Sequence, residues 1–162
     1  MSFDPSKTEI RPIREASDLT VPLMANETVY GYSPFRLALV CLREGSDSAA
    51  FVADCRGHLV GYVVVKLIKA SFSAIPVNLY DAAAIKRIGV LDFARRQGIG
   101  RMLLEEANRY GQNKSPNAVA SLVRYPADDQ DIDTFFTACG YMVQKVIRNP
   151  VVGDHFEAIK KY

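Results

Sequence analysis

The sequence predicts a mixed α/β domain, one sheet with helices on both faces, and three observations carry that reading. Strand-like apolar runs alternate with stretches of helical period from residue 49 onward. A glycine-rich turn at 97–101 joins a strand-like run to a helix-like one, and two short strand-like runs close the chain around Asn149-Pro150 and Gly153. Strand, glycine turn, helix, strand, helix and final hairpin are the ingredients of a layered α/β sheet. With 162 residues, the expectation is a single domain over 1–162, long enough to bury about 70% of its unfolded surface. The composition, 49% hydrophobic and 23% charged, is that of an ordinary globular protein.

Residues 9–14 read as a first strand, with Pro12 placing it at an edge or a strand start. Ser17, Asp18 and Thr20 offer caps for a helix carrying Leu19, Leu23 and Met24, and 26–32 reads as loop. Ser33-Pro34 opens a second helix, a hydroxyl N-cap followed by proline at the first helical position. This helix runs to about Arg43 and stops at Gly45. Its apolar residues, Phe35 and 37–42, exceed one stripe, so it is expected to be mostly buried or to form one wall of a substrate cleft. Residues 49–54 and 59–67 read as a hairpin about Arg56-Gly57-His58, with Val63-Val64-Val65 covered on both faces. Residues 66–78 read as loop or ragged strand end, and Asp81-Ala82-Ala83-Ala84 is ambiguous between helix and strand, alanine favouring helix.

Residues 85–90 are strand-like. After the glycines, Ile99, Met102, Leu103, Ala107 and Tyr110 recur at helical spacing, Glu105 and Arg109 form an i,i+4 pair, and Gly111 can end the helix. Residues 117–123 read as the next strand. Asp128, Asp129 and Asp131 then suit a helix N-terminus, read as caps before a metal site. Ile132, Phe135, Phe136 and Cys139 make that helix's apolar stripe, closed by Gly140. Residues 142–148 and 155–159 form the closing hairpin.

One stretch proposes a chemistry: Arg95-Arg96-Gln97-Gly98-Ile99-Gly100-Arg101. Two glycines one residue apart let the backbone turn sharply and a ligand approach it closely. The helix that follows supplies unpaired N–H groups and its positive dipole end, a site for a pyrophosphate, with Arg95, Arg96 and Arg101 adding charge. The same glycines would equally serve close packing of a helix on a sheet.

The run Ile88-Gly89-Val90-Leu91-Asp92-Phe93-Ala94-Arg95-Arg96-Gln97-Gly98-Ile99-Gly100-Arg101 resembles the central acyl-CoA-binding motif of the GNAT N-acetyltransferases, Arg/Gln-x-x-Gly-x-Gly/Ala, with Arg95, Gly98 and Gly100 at its defining positions. Phe135-Phe136-Thr137-Ala138-Cys139-Gly140-Tyr141 resembles the family's later segment, an aromatic pair on a helix followed by Gly and an aromatic residue. The resemblance implies the GNAT fold: a mixed, mostly antiparallel central sheet with helices on both faces and a V-shaped splay between two central strands, here 85–90 and 118–123. It implies that acetyl-CoA binds with its pyrophosphate on the N–H groups of Gln97, Gly98, Ile99, Gly100 and Arg101 and the amide of Arg95 or Arg96. The pantetheine arm would then pair with the main chain of Ile88 and Val90. A backbone N–H near Gly89 or Val90 would polarise the thioester carbonyl.

A primary amine, with a pKa near about 10, must lose a proton before it attacks. The central strand carries Lys86 and Arg87 where family members often have a carboxylate, so Asp81 is the candidate base. The family's usual acid, a late-helix tyrosine, falls at Phe136, which cannot donate a proton and stays only a cofactor-binding candidate; Tyr125 and Tyr141 are the substitutes. Asp129 stands where asparagine is common, which would alter one hydrogen bond to the pantetheine arm.

The expected function is therefore acetyl transfer from acetyl-CoA, the acyl-donor co-substrate, to a primary amine by direct attack in a ternary complex. An acyl-CoA-binding sensor or structural module with weak catalysis is the alternative that Phe136 favours. An unrelated phosphate-binding domain is disfavoured by the absence of Gly-Lys-Ser/Thr and Gly-x-Gly-x-x-Gly patterns. A formal net charge of +2 without a basic tail argues against a nucleic-acid partner. No apolar run approaches the ~20 residues that span a membrane, and 1–10 lacks the apolar core of a signal peptide, so a cytoplasmic protein is expected. Cys41, Cys55 and Cys139, with His58 and His155, have no metal-ligand spacing, so no metal is expected. Tyr30, Tyr32, Phe35 and Arg36 are candidates for an acceptor pocket, and the closing strands offer a route to a homodimer.

Overall fold

Arg56 and Gly57, both at positive φ (54° and 84°), turn the chain between β2 (Ser48–Cys55) and β3 (His58–Ala70). Two residues in that conformation match the right-handed twist of the strands they join. Asp54 Oδ1 fixes the turn by accepting the Gly57 N–H at 2.7 Å. The computed structural model describes residues 4–19, 34–70 and 79–162. Around this hairpin, β1 (Thr8–Pro12), β4 (Tyr80–Val90), β5 (Ala118–Pro126), β6 (Met142–Ile147) and β7 (His155–Lys161) complete one seven-stranded sheet, ordered β1-β2-β3-β4-β5-β7-β6. Only β4 and β5 run parallel; every other neighbouring pair is antiparallel.

Helices cover both faces, as predicted. On one face α2 (Ile99–Lys114) and α3 (Gln130–Ala138) pack on a core that includes Phe51, Val63, Val65, Ala83, Ile85, Leu103, Leu104, Val123 and Phe136. On the other, α1 (Pro34–Leu42) and the short turn Ala16–Leu19 cover Ala50, Val52, Tyr62 and Val64. Among the described residues no helix is long and apolar enough to cross a membrane.

The ambiguous alanine run is strand. Ala82, Ala83 and Ala84 are at most 1% exposed, held between β3 and β5 with a covered face on either side. Their small side chains fit there, and burial overrides the helical preference of alanine. Two expectations are corrected. The central helix does not end at Gly111 but continues to Lys114; Gly111 lies where α2 presses onto Ala83, and a Cβ there would sit 2.6 Å from the Ala83 Cβ. Nor is α1 mostly buried: Ala38 is enclosed and Leu37 and Cys41 partly so, but Leu39, Val40 and Leu42 are exposed. Strand β3 also runs further than expected, to Ala70. The helix predicted around Leu23 and Met24, the loop at 26–32, Ser33 as a cap, the pocket candidates Tyr30 and Tyr32, and the rest of the 66–78 loop lie outside the described residues.

Strand β4 departs from regular pairing at one point. Opposite β3, Val65 faces Ile85 and Val64 faces Arg87, which leaves Lys86 as an extra residue. Opposite β5, pairing ends at Ile85↔Val123, although β4 continues to Val90 and β5 to Pro126. A bulge bends the strand that carries it. The bend thus coincides with the place where the two parallel strands part.

Candidate functional site

Beyond Ile85 the edge of β4 faces an opening instead of β5. Leu91 N–H bonds to Val60 C=O of β3 at 2.9 Å, and Tyr62 faces Gly89 in the same register. Backbone groups alternate in direction along a strand. Gly89 therefore turns its N–H and C=O toward β3, while Ile88 and Val90 turn theirs into the opening. A donor on this edge is Val90 or Ile88, and the expectation that Gly89 could serve is corrected.

At the open end the chain passes through a single turn at Asp92–Ala94 into the glycine stretch. Arg96 has φ 59° and Gly98 φ 82°. A Cβ at Gly98 would meet nothing within 4 Å, so glycine here serves the left-handed backbone and leaves the space above it open. Gly100 is different: its Cβ would lie 3.0 Å from the Phe135 ring, so this glycine lets α2 and α3 touch. The packing reading thus holds for Gly100, while Gly98 answers to its own backbone conformation.

The first bond of the α2 ladder runs from Met102 N–H to Gly98 C=O, 3.0 Å. The N–H groups of Ile99, Gly100 and Arg101 lie ahead of it and emerge at the positive end of a 16-residue helix. The Arg95 amide, by contrast, donates to Asp92 C=O at 3.2 Å, which removes it from the expected donor set. The arginine side chains are engaged as well. Arg95 Nε donates to Val90 C=O (3.0 Å) and its Nη1 lies 2.9 Å from Asp92. Arg96 reaches Asp131 at 3.6 Å, and Arg101 Nη2 donates to Ala138 C=O at 3.5 Å. Gln97 Nε2 donates to Phe93 C=O. The unpaired groups at this end of the sheet are main-chain ones.

The expected proton-transfer residues do not gather here. Asp81 stands at the closed end of the V, four residues or about 13 Å of strand before Ile85. It pairs with Lys69 and accepts from Ser115 Oγ at 2.7 Å. The Lys69 hydrogen bond, then that of Ser115, holds its carboxyl below the usual range. Tyr125, 3% exposed, donates its hydroxyl to Asp133 Oδ1 at 2.8 Å. Burial first, and then that carboxylate, push its pKa up. Tyr141, 2% exposed, shares a 2.7 Å hydrogen bond with Ser121 Oγ, next to the closed part of the V. Burial raises its pKa, and bonds to Ser121 and Asn108 offset part of the rise.

Phe136 fills the space between these two tyrosines. Its ring stacks on Tyr125 with centroids 5.1 Å apart and meets Tyr141 edge-on at 5.4 Å. Asp129 caps α3 by accepting the Ile132 N–H at 3.0 Å, which confirms the cap reading. No group of three or more metal-ligating side chains occurs among the described residues.

Sequence reasoning missed the charged groups on the other face of the opening. Glu157 of β7, 5% exposed, faces Arg124 of β5 in register. It accepts from Arg124 Nε at 2.7 Å and lies 3.0 Å from Lys145 Nζ. Only the register of strands distant in sequence reveals that contact.

A family model described as an acetyltransferase (GNAT) domain matches residues 46–143. No match is found among curated proteins. Among solved structures, Arabidopsis thaliana NAA60 in complex with acetyl-CoA superposes with a TM-score of 0.75 at 17% identity, over 95% of this chain and 98% of that one. Chaetomium thermophilum Naa20 in complex with a bisubstrate analogue gives 0.75 at 23% identity, over 94% and 86%. The PaiA N-acetyltransferase from Thermoplasma acidophilum, in complex with coenzyme A, gives 0.71 at 19%, over 96% and 99%. At these identities the likeness is one of fold.

Proposed function

The chain belongs to the GNAT acetyltransferase family, and from that premise we propose that residues 1–162 form one domain that transfers an acetyl group from acetyl-CoA to a primary amine, by direct attack in a ternary complex. The observation that carries the reading is the parting of β4 from β5 beyond Ile85, with an unpaired helix N-terminus at its open end. The pantetheine arm would pair along the Ile88 and Val90 edge as an added strand. The pyrophosphate would rest on the N–H groups of Gln97 to Arg101. Val90 N–H would donate to the thioester oxygen as negative charge grows there.

The attacking amine would pass its proton to water in the mouth of the V. Asp81 is not assigned as base, because its lowered pKa and its place at the closed end of the V both oppose it. The sulfur would leave as thiolate, whose conjugate acid has a pKa near about 8.5. Tyr125 and Tyr141 spend their hydroxyls on Asp133 and Ser121, so neither is assigned as the acid.

Thermal unfolding with acetyl-CoA, CoA, ATP and NAD in parallel tests the reading, since a ligand that binds only the folded state raises the midpoint. A rise with acetyl-CoA and CoA alone, followed by amine-dependent thiol release, is expected. No rise at saturating acetyl-CoA would overturn it. The engaged tyrosines and the missing Phe136 hydroxyl favour a second reading, a CoA-binding module with slow turnover. Its signature is the same midpoint rise without thiol release across an amine panel.

A further inference from the structure

Resting on that reading of the site, we propose that the acceptor carries a carboxylate beside its reactive amine, and that Lys66, Lys86 and Arg124 form the subsite that receives it. The three residues surround the point where β4 leaves β5. Lys66 faces Ala84 across β3 and β4; Lys86 is the extra residue of the bulge; Arg124 directly follows Val123, the last β5 residue paired with β4. Lys66 shares the sheet face of Val64 by strand alternation, the face opposite α2 and α3. The CoA arm and the cation cluster thus meet the opening from different sides.

Among the described residues, positive charge gathers around the bulge. Glu157 is a buried carboxylate already held by Arg124 and Lys145. Among the described residues it is thus already shared by two cations, and Lys66 and Lys86 stand beside them without an ion pair. Lys66, Lys86 and Arg124 are all exposed to solvent; partial desolvation, then the nearby charges of Arg124 and Lys66, hold the Lys86 pKa below its ordinary value. Like charges brought together on a sheet face repel, and an entering anion relieves that repulsion. Lys86 precedes Ile88 by two residues, about 7 Å of strand. A lysine side chain reaching from there can hold a carboxylate a few bonds from an amine aimed at the thioester. An α-amino acid or a peptide with an acidic first residue has this arrangement; an alkyl diamine does not.

The test compares C-amidated Glu-Ala-Ala, Gln-Ala-Ala and Lys-Ala-Ala, with free glutamate as the small-molecule arm, by thiol release from acetyl-CoA with the full chain. The glutamate peptide or free glutamate should be used with a kcat/KM about tenfold or more above the glutamine peptide, mainly through KM, and the ratio should shrink with added salt. In the Lys66→Gln/Lys86→Gln double variant the ratio should fall to about twofold or less. The midpoint rise with acetyl-CoA should persist there, and the variant's own midpoint should not drop, because repulsion has been removed. Equal use of the peptides, preference for the lysine peptide, no acetylation of any of the four acceptors, or a preference that survives in the double variant would each overturn the inference. If acetyl-CoA itself gives no midpoint rise, the functional reading falls and this one with it; a rise with indiscriminate acetylation removes this one alone.

Discussion

Replacing Gly98 separates what the glycine turn does for the backbone from what it does for a bound anion. At φ 82° an L side chain costs about 1–2 kcal/mol of strain. The added Cβ meets nothing within 4 Å, so no steric cost is added. Gly98→Ala should therefore lower the unfolding midpoint by about 2–8 °C for a chain of this size. Gly98→Glu carries the same strain and adds a carboxylate at the mouth of the N–H row. At about 6 Å and an effective dielectric of 20–40, each pyrophosphate charge repels it by about 1.4–2.8 kcal/mol. Two such charges come to roughly 3 kcal/mol or more, at least about a hundredfold in Kd. Calorimetric titration of acetyl-CoA into both variants at low salt measures this, and the gap between them should narrow at 0.5 M salt as the charges are screened. Equal midpoints with equal, wild-type-like affinity for acetyl-CoA in Gly98→Ala and Gly98→Glu would refute the placement of the pyrophosphate.

Phe136→Tyr puts a hydroxyl into the aromatic cluster of Tyr125, Phe135 and Tyr141. Left without a partner there, it should cost about 1–3 kcal/mol, read by denaturant titration, without raising turnover; a gain in kcat would show that the hydroxyl reaches the sulfur. Tyr125→Phe frees Asp133, and Asp81→Asn loosens Lys69 and Ser115. Both should leave kcat within about threefold, since general acid–base groups contribute a hundredfold or more, and a larger fall in either would restore that residue to the mechanism. Asp18, bonded by Arg11 through both its oxygens and by the Arg14 N–H, is held below the usual carboxylate range, chiefly by Arg11. A depressed carboxylate adds stability that is present above its unfolded value of about 3.9 and is lost as pH falls through the folded value. Asp18→Asn should thus lower stability by about 1–3 kcal/mol at pH 7 and flatten the loss of stability below about pH 4; an unchanged acid limb would contradict it.

Local chemistry made the hairpin at Arg56-Gly57, the turn into α2 and the Asp129 cap readable in the sequence, because each is decided within a few residues. The alanine run of β4 was ambiguous, because neighbours distant in sequence make it a strand. Glycines 98 and 100 look alike in a motif, yet one answers to its own φ and the other to a phenylalanine on a different helix. The arginines of the turn were expected to face an anion, but side-chain direction depends on acceptors such as the Val90 and Ala138 carbonyls, whose positions only the fold fixes. Asp81 was a reasonable candidate from its nearness in sequence to the central strand. Strand geometry puts it at the wrong end.

The bulge at Lys86 links the two halves of the proposed site. Without the extra residue, β4 would continue the register that pairs it with β5, and its Ile88 and Val90 groups would be consumed by the sheet. With it, the strand parts from β5 after Ile85, the Ile88–Val90 edge is left without a partner strand on that side, and a lysine stands near Arg124 on the opposite face. One irregularity in register thus adjoins both the edge proposed for the donor and the cation proposed for the acceptor. Deleting Lys86 should therefore remove acetyl-CoA binding as well as acceptor preference, whereas Lys86→Gln should affect only the second. A deletion variant that keeps its fold by circular dichroism and still binds acetyl-CoA with wild-type affinity would break that link.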